Sequence, residues 1–324
     1  MVRQIAVVGA PSSIGIRPYD DGEARHLNRA PGVLRERGLV ERLGAIDLGD
    51  VVPPPYRDYV RPRGRARNER EVVLYSRWLA EHVAAATAHD RFGVVLGGDC
   101  SIVLGCLLGV SQRSSVGLVY VDAHADFATP GESMTGSAAS MALALATGRG
   151  ETPLARLGGR APLVDGKHAA LVGRRDEADG WYGHAALASS QILDLPHSDL
   201  VPQDYGYLAA AALTRAAARD VRGFWIHVDA DVLNPVVMSA VDSPEPGGPM
   251  PGELVSLLTP LVRHPRALGL SLSIYDPALD PDRSGARQLG HLLEAILGRE
   301  RGEHRNDRQR AEVTDSVAAR VAHR

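Results

Sequence analysis

Short, unbroken apolar runs recur along the chain, and longer segments with helical spacing separate them. The clearest runs cover residues 5–8, 94–96, 116–121 and 224–228. Apolar residues three and four positions apart predict helices over 31–43, 69–86, 102–110 and 253–262. Because strands that are buried on both faces read as continuous apolar runs, we expect an α/β protein. The pattern predicts a three-layer α/β/α fold with a central, mainly parallel sheet.

No linker and no internal repeat divides the chain. We therefore expect one domain over residues 1–298, and the 324 residues, 44% of them hydrophobic, are enough for a sizeable core. Residues 299–324 are charged and lack a core face. This segment is expected to be a disordered tail or an arm that contacts other subunits.

Charge and composition exclude several classes of partner. The formal net charge is -3, so no basic surface for nucleic acid is expected. No stretch approaches the roughly 18 apolar residues that cross a membrane. The N-terminus lacks the pattern of a signal peptide, and the two cysteines lie too close together to staple a large domain. A cytoplasmic protein that acts on a small molecule is expected.

Metal-type ligands are concentrated where three apolar runs end. In an open parallel sheet, ligands bind at the carboxyl ends of the strands, so these three motifs are expected to converge. The motifs are Gly97-Gly98-Asp99-Cys100-Ser101, Asp122-Ala123-His124-Ala125-Asp126 and His227-Val228-Asp229-Ala230-Asp231-Val232-Leu233-Asn234-Pro235.

The spacing within the second and third motifs predicts shared orientation. Asp122, His124 and Asp126 alternate along the chain, as do Asp229 and Asp231, and in extended backbone alternate side chains project to one side. Four carboxylates and an imidazole in one pocket require cations. Such donors suit Mn²⁺, and a second metal could share bridging carboxylates.

These motifs resemble those of the arginase (ureohydrolase) family. Asp122–Asp126 matches its Asp-Ala-His-x-Asp, and residues 229–235 resemble its Asp-x-Asp-x-x-Asp-Pro. Ser243-Pro244-Glu245-Pro246-Gly247-Gly248 resembles its Thr-Pro-Glu-Pro-Gly-Gly. The likeness runs from about residue 5 to about 297. It implies the three-layer fold, a binuclear manganese site, hydrolysis of a guanidino or related C–N bond, and a homo-oligomer, trimer or hexamer.

The resemblance also implies a ligand set. One metal would be bound by Cys100, Asp122, Asp126 and Asp229. The other would be bound by Asp122, His124, Asp229 and Asp231, so that Asp122 and Asp229 bridge. Asp126 would be the catalytic residue, because it would also orient the metal-bridging hydroxide.

Cys100 stands where the family usually has a ligating histidine. A thiolate is a softer donor than Mn²⁺ prefers, so Zn²⁺ or Fe²⁺ becomes an alternative to Mn²⁺. A first alternative is that Cys100 is a small core residue and binds no metal. A second alternative needs no metal for catalysis: Cys100 would be the nucleophile and His124 its base.

The residues that read arginine in the family are largely replaced. Ala139 stands where a proton-transferring histidine is expected, and Ile274 stands in place of a guanidinium-binding glutamate. By position, the resemblance leaves four residues for substrate contact: Thr135, Ser137, Asp176 and Glu245.

We therefore expect a metal-dependent hydrolase of a non-peptide C–N bond in a modified guanidine, an amidine or an amide, and not an ordinary arginase. A second hypothesis is a guanidino-compound amidinohydrolase, agmatinase-like or hydroxyguanidine-cleaving, that releases urea or hydroxyurea. In this hypothesis Glu245 or Asp276 holds the cation of the substrate. A third is a catalytically inactive protein that kept the fold for binding.

Overall fold

The computed structural model describes residues 3–57, 61–111, 114–177, 183–198 and 204–298. The charged segment 299–324, for which a disordered tail or an oligomer arm was expected, lies outside the described residues. None of the helices in these residues combines the length and the hydrophobicity that a membrane-spanning helix needs.

Eight strands form one sheet, and every strand pair in it is parallel. Their order across the sheet is β2-β1-β3-β8-β7-β4-β5-β6. The predicted α/β fold with a mainly parallel sheet is confirmed. The strands are β1 (Ile5–Gly9), β2 (Ile46–Asp50), β3 (Phe92–Leu96), β4 (Gly117–Val121), β5 (Ala169–Val172), β6 (Leu193–Leu195), β7 (Phe224–Asp229) and β8 (Ala267–Ser273).

Helices cover both faces of the sheet and complete the three layers. α3 packs on α4, α7 packs on α8, and α8 packs on α9. The helices are α1 (Ala30–Glu36), α2 (Leu39–Leu43), α3 (Glu69–Ala86), α4 (Ile102–Val110), α5 (Ala142–Ala146), α6 (His184–Ala188), α7 (Tyr205–Ala216), α8 (Pro251–Arg263) and α9 (Ser284–Leu297).

The helix expected over residues 31–43 is two helices. Gly38 adopts φ 73°, a left-handed conformation, and it separates α1 from α2. Glycine adopts this conformation without the steric penalty of a side chain. The apolar spacing continues across the break because both helices face the same core, which is why the sequence pattern does not show it.

The centre of the sheet fixes where the functional motifs meet. β3, β8, β7 and β4 are consecutive neighbours, and the residues of β3, β4 and β7 are all buried. Because these strands are parallel, the segments that follow β3, β4 and β7 all leave from the same edge of the sheet. We call this the carboxyl edge.

Candidate metal centre

The loop Asp122–Asp126 leaves the end of β4 at the carboxyl edge and turns at once. Oδ1 of Asp122 accepts a hydrogen bond from the backbone N–H of His124 at 2.7 Å, and Asp126 adopts φ 46°. The prediction of extended backbone for this segment is therefore wrong, because the chain bends at Ala123 and His124. Aspartate side chains that accept from the backbone two residues on stabilise such turns.

A similar turn follows β7. Oδ1 of Asp229 accepts from the backbone N–H of Asp231 at 2.8 Å, and residues 230–232 form a single 3₁₀ turn. Here, too, the expectation of extended alternation is wrong. Oδ1 of Asp231 in turn accepts from the backbone N–H of Ala123 at 3.2 Å. This bond joins the two loops directly.

The loop after β3 is held by a buried carboxylate. Asp99 accepts hydrogen bonds from the backbone N–H groups of Gly15 and Ser101, each at 3.0 Å, and from the Ser12 hydroxyl at 3.2 Å. Gly98 adopts φ 112°, and a Cβ there would lie 2.6 Å from the Ala10 carbonyl oxygen. Asp99 therefore shapes the loop that presents Cys100.

Two groups of potential metal ligands result from these loops. Cys100, Asp122 and Asp229 offer ligand atoms within 4.8 Å of one another. Asp122, His124 and Asp231 form a second group by the same measure. Asp122 belongs to both groups, which agrees with the bridging role predicted for it, and that role stays a prediction.

Asp126 lies beside these groups but belongs to neither of them among the described residues. Its carboxylate is buried, and its Oδ2 atom accepts a hydrogen bond from the Tyr120 hydroxyl at 2.6 Å. The structure thus places Asp126 at the site, whereas its roles as ligand and catalytic residue stay predictions. Asp229 falls in one group only, so its bridging role also stays a prediction.

The carboxylates of the site are deprived of solvent. Burial, followed by the charge of Asp231, raises the pKa of Asp122 to about 7. Burial and neighbouring carboxylates likewise raise the pKa values of Asp126 and Asp229 well above the ordinary range. Bound cations relieve both the desolvation and the mutual repulsion of such groups.

His124 and Asp231 show the opposite balance. Burial alone would raise the pKa of Asp231, but the adjacent imidazole of His124 outweighs it and lowers that pKa. For His124, burial works to lower the pKa, yet Asp231 and Asp122 raise it well above its usual value. The Nδ1 atom of His124 lies 3.0 Å from Oδ2 of Asp231. The two side chains therefore form a closely coupled pair within the second group of potential ligands.

An orphaned oxygen shows that these residues fit a metal. Oδ2 of Asp122 is buried and has no hydrogen-bond partner among the described residues. An unsatisfied buried carboxylate oxygen is unfavourable unless a cation or a water completes it. Together with the oxygen, nitrogen and sulfur donors around it, this oxygen fits a divalent-ion site.

Cys100 is buried and lies beside the carboxylates of the site. Its Sγ atom is 2.7 Å from Oδ2 of Asp229 and 3.3 Å from Oγ of Ser273. Burial and then Asp229 raise the pKa of the Cys100 thiol well above its usual value. A bound metal would reverse this by favouring the thiolate. Cys106, in contrast, is buried within α4, as expected for a core residue.

The structure places His227, which the third motif includes, in a buried polar chain beneath Cys100, and the hydrogen bonds of this chain were not expected from the sequence. Oγ of Ser273 lies 3.2 Å from Nε2 of His227, and Nδ1 of His227 lies 2.8 Å from Oγ of Ser271. Burial lowers the pKa of His227 to about 3, so this imidazole is neutral. The available signal was the pair of serines two positions apart in the apolar strand β8, which face the same side.

A cavity of about 300 Å³ opens over the two ligand groups. Thr135 and Ser137, both predicted to contact substrate, lie on its wall, as do Ala139 and Ile274. The cavity is lined by Ile16, Arg17, Arg25, Cys100, His124, Asp126, Met134, Thr135, Ser137, Ala139, Ser140, Asp229, Asp231, Asp242, Ser243 and Ile274.

The other two predicted substrate residues differ in position. Oε1 of Glu245 is 3.6 Å from Nε2 of His124, so this carboxylate lies beside the second ligand group. Asp176 is buried beneath the loop, where its Oδ2 accepts from the backbone N–H of Ala125 at 2.8 Å. Asp176 thus supports the loop Asp122–Asp126, and it is not among the described residues that line the cavity.

Comparison with known proteins agrees with these features. Residues 3–298 match the sequence model of the Arginase family. The arginase of Bacillus subtilis (strain 168) is 27% identical over 312 residues, which cover 92% of this chain and 99% of that protein. The solved arginase from Bacillus caldovelox superposes with a TM-score of 0.81 at 25% identity, covering 92% and 99% of the two chains. Formimidoylglutamase from Bacillus subtilis subsp. subtilis str. 168 shares the fold, with a TM-score of 0.67 at 17% identity and coverage of 92% and 87%.

Proposed function

Since this chain belongs to the arginase family, whose members are hydrolases of C–N bonds other than peptide bonds, we propose that it hydrolyses such a bond with two divalent metal ions. The substrate we propose is a modified guanidine, an amidine or an amide, and not plain arginine. The observation that carries the proposal is the position of Asp122, which is shared by two ligand groups and has a buried oxygen with no hydrogen-bond partner in the described structure.

Cys100, Asp122 and Asp229 would hold one ion, and Asp122, His124 and Asp231 the other. We propose Mn²⁺ because the resemblance to the family implies manganese. Zn²⁺ and Fe²⁺ are alternatives because the Cys100 sulfur is a softer donor than Mn²⁺ prefers. When bound, such ions supply a nucleophile at neutral pH and stabilise developing negative charge.

Asp126 is the residue that we assign to proton handling during attack. Its Oδ2 atom is held by the Tyr120 hydroxyl, which leaves Oδ1 for the attacking water. A carboxylate held in this way is oriented before the reaction begins, and this removes reorganisation from the chemical step.

The cavity wall argues against a guanidinium bound as in arginase. Ile274 is buried and apolar, so it cannot pair with a cation. Ala139 cannot carry a proton to the leaving group. In place of these two family residues, the described part of the cavity wall carries serine and threonine hydroxyls, which can orient water. A leaving group that needs little protonation, or one protonated by water, suits this wall.

Glu245 favours a second candidate, an amidinohydrolase of agmatinase-like or hydroxyguanidine-cleaving type. Its carboxylate, 3.6 Å from His124, could bind a guanidinium from a different direction than the family's usual glutamate. Release of urea or hydroxyurea distinguishes this reaction from the hydrolysis of an amide, which releases a carboxylic acid.

The test is turnover by metal-loaded protein on a panel of guanidino, hydroxyguanidino, amidino and amide compounds. We expect hydrolysis of at least one class, and loss of that activity in Asp122→Asn. Asp90→Asn is the matched control, because Asp90 is exposed and precedes β3 at the opposite edge of the sheet. If protein with two bound ions hydrolyses no compound on the panel, the proposal is rejected in favour of a non-catalytic binding protein.

A further inference from the structure

We propose that Arg17 binds a carboxylate at the end of the substrate that lies away from the scissile bond. The inference rests on the proposed function in one respect: it takes the metal ligands as the place where the bond is cleaved. Arg17 and the metal ligands line the same cavity of about 300 Å³. The substrate class that follows is a linear carboxylic acid whose other end carries the amidine, guanidine or amide group.

The backbone of Arg17 is fixed on both sides. Its N–H donates to Oγ of Ser137 at 3.1 Å, and its carbonyl oxygen accepts a hydrogen bond from the guanidinium of Arg25. The neighbouring backbone is fixed as well, because the N–H of Ala139 donates to the Gly15 carbonyl at 3.0 Å. A binding residue on backbone held in this way loses little freedom when its ligand arrives.

Arg25 serves as the anchor of this segment and not as the binding charge. It forms an ion pair with Asp242, in which the two side chains are only 9% and 13% exposed. Its guanidinium also lies 4.2 Å from the centre of the Tyr19 ring. The positive charge of Arg25 is therefore already balanced, which makes Arg25 a positioning residue for Arg17.

The guanidinium of Arg17, in contrast, is paired only with a carboxylate that is exposed to water. Its side chain is 32% exposed, and its ion-pair partner Asp20 is 87% exposed. An ion pair this open to water contributes little free energy. A substrate carboxylate can replace Asp20 on the guanidinium, and such a pair forms two parallel charge-assisted hydrogen bonds.

The rest of the cavity wall does not favour a cationic tail. Beyond the metal ligands, Asp126 and the paired Asp242, no acidic side chain lines the cavity in the described part of the chain. Ile16, Met134 and Ile274 contribute apolar surface between the charged groups. An apolar linker with an anionic end fits this arrangement of wall and charge.

Binding of simple acids tests the inference without any turnover. The probes are linear dicarboxylates from succinate to pimelate, each compared by calorimetry with the monocarboxylate of equal carbon number on the metal-loaded protein. One carboxylate of each probe can occupy the metal edge, so the second measures Arg17. At one chain length, we expect the dicarboxylate to bind at least about tenfold more tightly than the monocarboxylate of equal carbon number.

Arg17→Met should remove this gain while leaving the monocarboxylate affinity unchanged, and Arg17→Lys should keep part of it. Arg77→Met is the matched control, because Arg77 is exposed on α3 and should keep the full gain. An equal gain in Arg17→Met, or no gain at any chain length, overturns the inference. Turnover on the panel above is scored separately, so either proposal can fail while the other stands.

Discussion

The Tyr120 hydroxyl donates a 2.6 Å hydrogen bond to Oδ2 of Asp126, and both side chains are buried. Tyr120 is on β4, ahead of the loop that carries Asp126, and its ring stacks on His227 at 4.6 Å. A rigid strand residue thus reaches forward to hold a carboxylate on a strained loop position. This contact links the core of the sheet to the proposed chemistry.

Tyr120→Phe should lower kcat by ten- to a hundred-fold, on the order of the effects seen when partners of metal-site residues are removed. The physical reason is that Asp126 loses the donor that orients it. KM and bound metal should change little. Steady-state kinetics with metal analysis measures both. Tyr75→Phe is the control, because the buried Tyr75 hydroxyl has no hydrogen-bond partner in the described structure. Equal effects of the two changes would contradict the assignment.

Replacing Cys100 tests whether its sulfur binds the metal. Protein loaded with Co²⁺ should show a thiolate-to-cobalt charge-transfer band in the near ultraviolet, because Sγ lies within the first ligand group. Cys100→Ser should lose the band, and Cys100→His should retain Mn²⁺ better relative to Zn²⁺. Cys106→Ala, in the core of α4, should keep the band. A band that survives in Cys100→Ser shows that the sulfur is not a ligand.

Ile274→Glu should add guanidinium recognition to the cavity wall. Ile274 adopts φ 66°, which is unfavourable for a β-branched residue by about 1–3 kcal/mol, so glutamate should not increase the backbone strain. A new charge-assisted contact should raise kcat/KM for guanidino compounds by about tenfold. Ile274→Gln matches the size without the charge and should show no comparable gain. An equal gain in both variants would mean that space, and not charge, limits these compounds.

The pair formed by Glu132 and Arg149 predicts a pH effect on stability. Arg149 lowers the pKa of Glu132 from 4.5 to about 2, and two hydrogen bonds of 2.8 and 2.9 Å join them. A lowered pKa in the folded state stabilises it above pH 4.5, and this stabilisation is lost as the pH falls towards 2. Because the Glu132 side chain is 49% exposed, the contribution should be below about 1 kcal/mol.

Denaturant unfolding of wild type and Glu132→Gln between pH 7 and pH 3 measures this contribution. The variant should be less stable at pH 7, and the difference should shrink below pH 4.5. A difference that stays constant over this range would show that the charge of Glu132 is not its source.

Much of the fold could be predicted from the sequence because burial on both faces leaves a direct mark. The runs that became β3, β4 and β7 are continuous and apolar, so they showed both the strands and their parallel arrangement. The break at Gly38 was not visible, since the apolar spacing of α1 and α2 continues across it. Local backbone conformation decided that boundary.

The site was predicted as a set of residues but not as a geometry. The motifs identified Asp122 and Asp231, yet turns and not extended ribbons bring them together. The contacts of His227 with Ser271 and Ser273 join two strands, and no local pattern shows which strands are neighbours. Arg17 lies in a turn-rich segment without a motif, so its place on the cavity wall required the three-dimensional structure.

Metal content, measured by elemental analysis together with a folding control, tests the central claim most directly. Wild type loaded with Mn²⁺, Zn²⁺ or Fe²⁺ should bind two ions per chain. Asp122→Asn should lose both, because Asp122 belongs to both ligand groups, whereas Asp231→Asn should lose one. Retention of both ions by folded Asp122→Asn, or a folded wild type that binds none of these metals, would contradict the account.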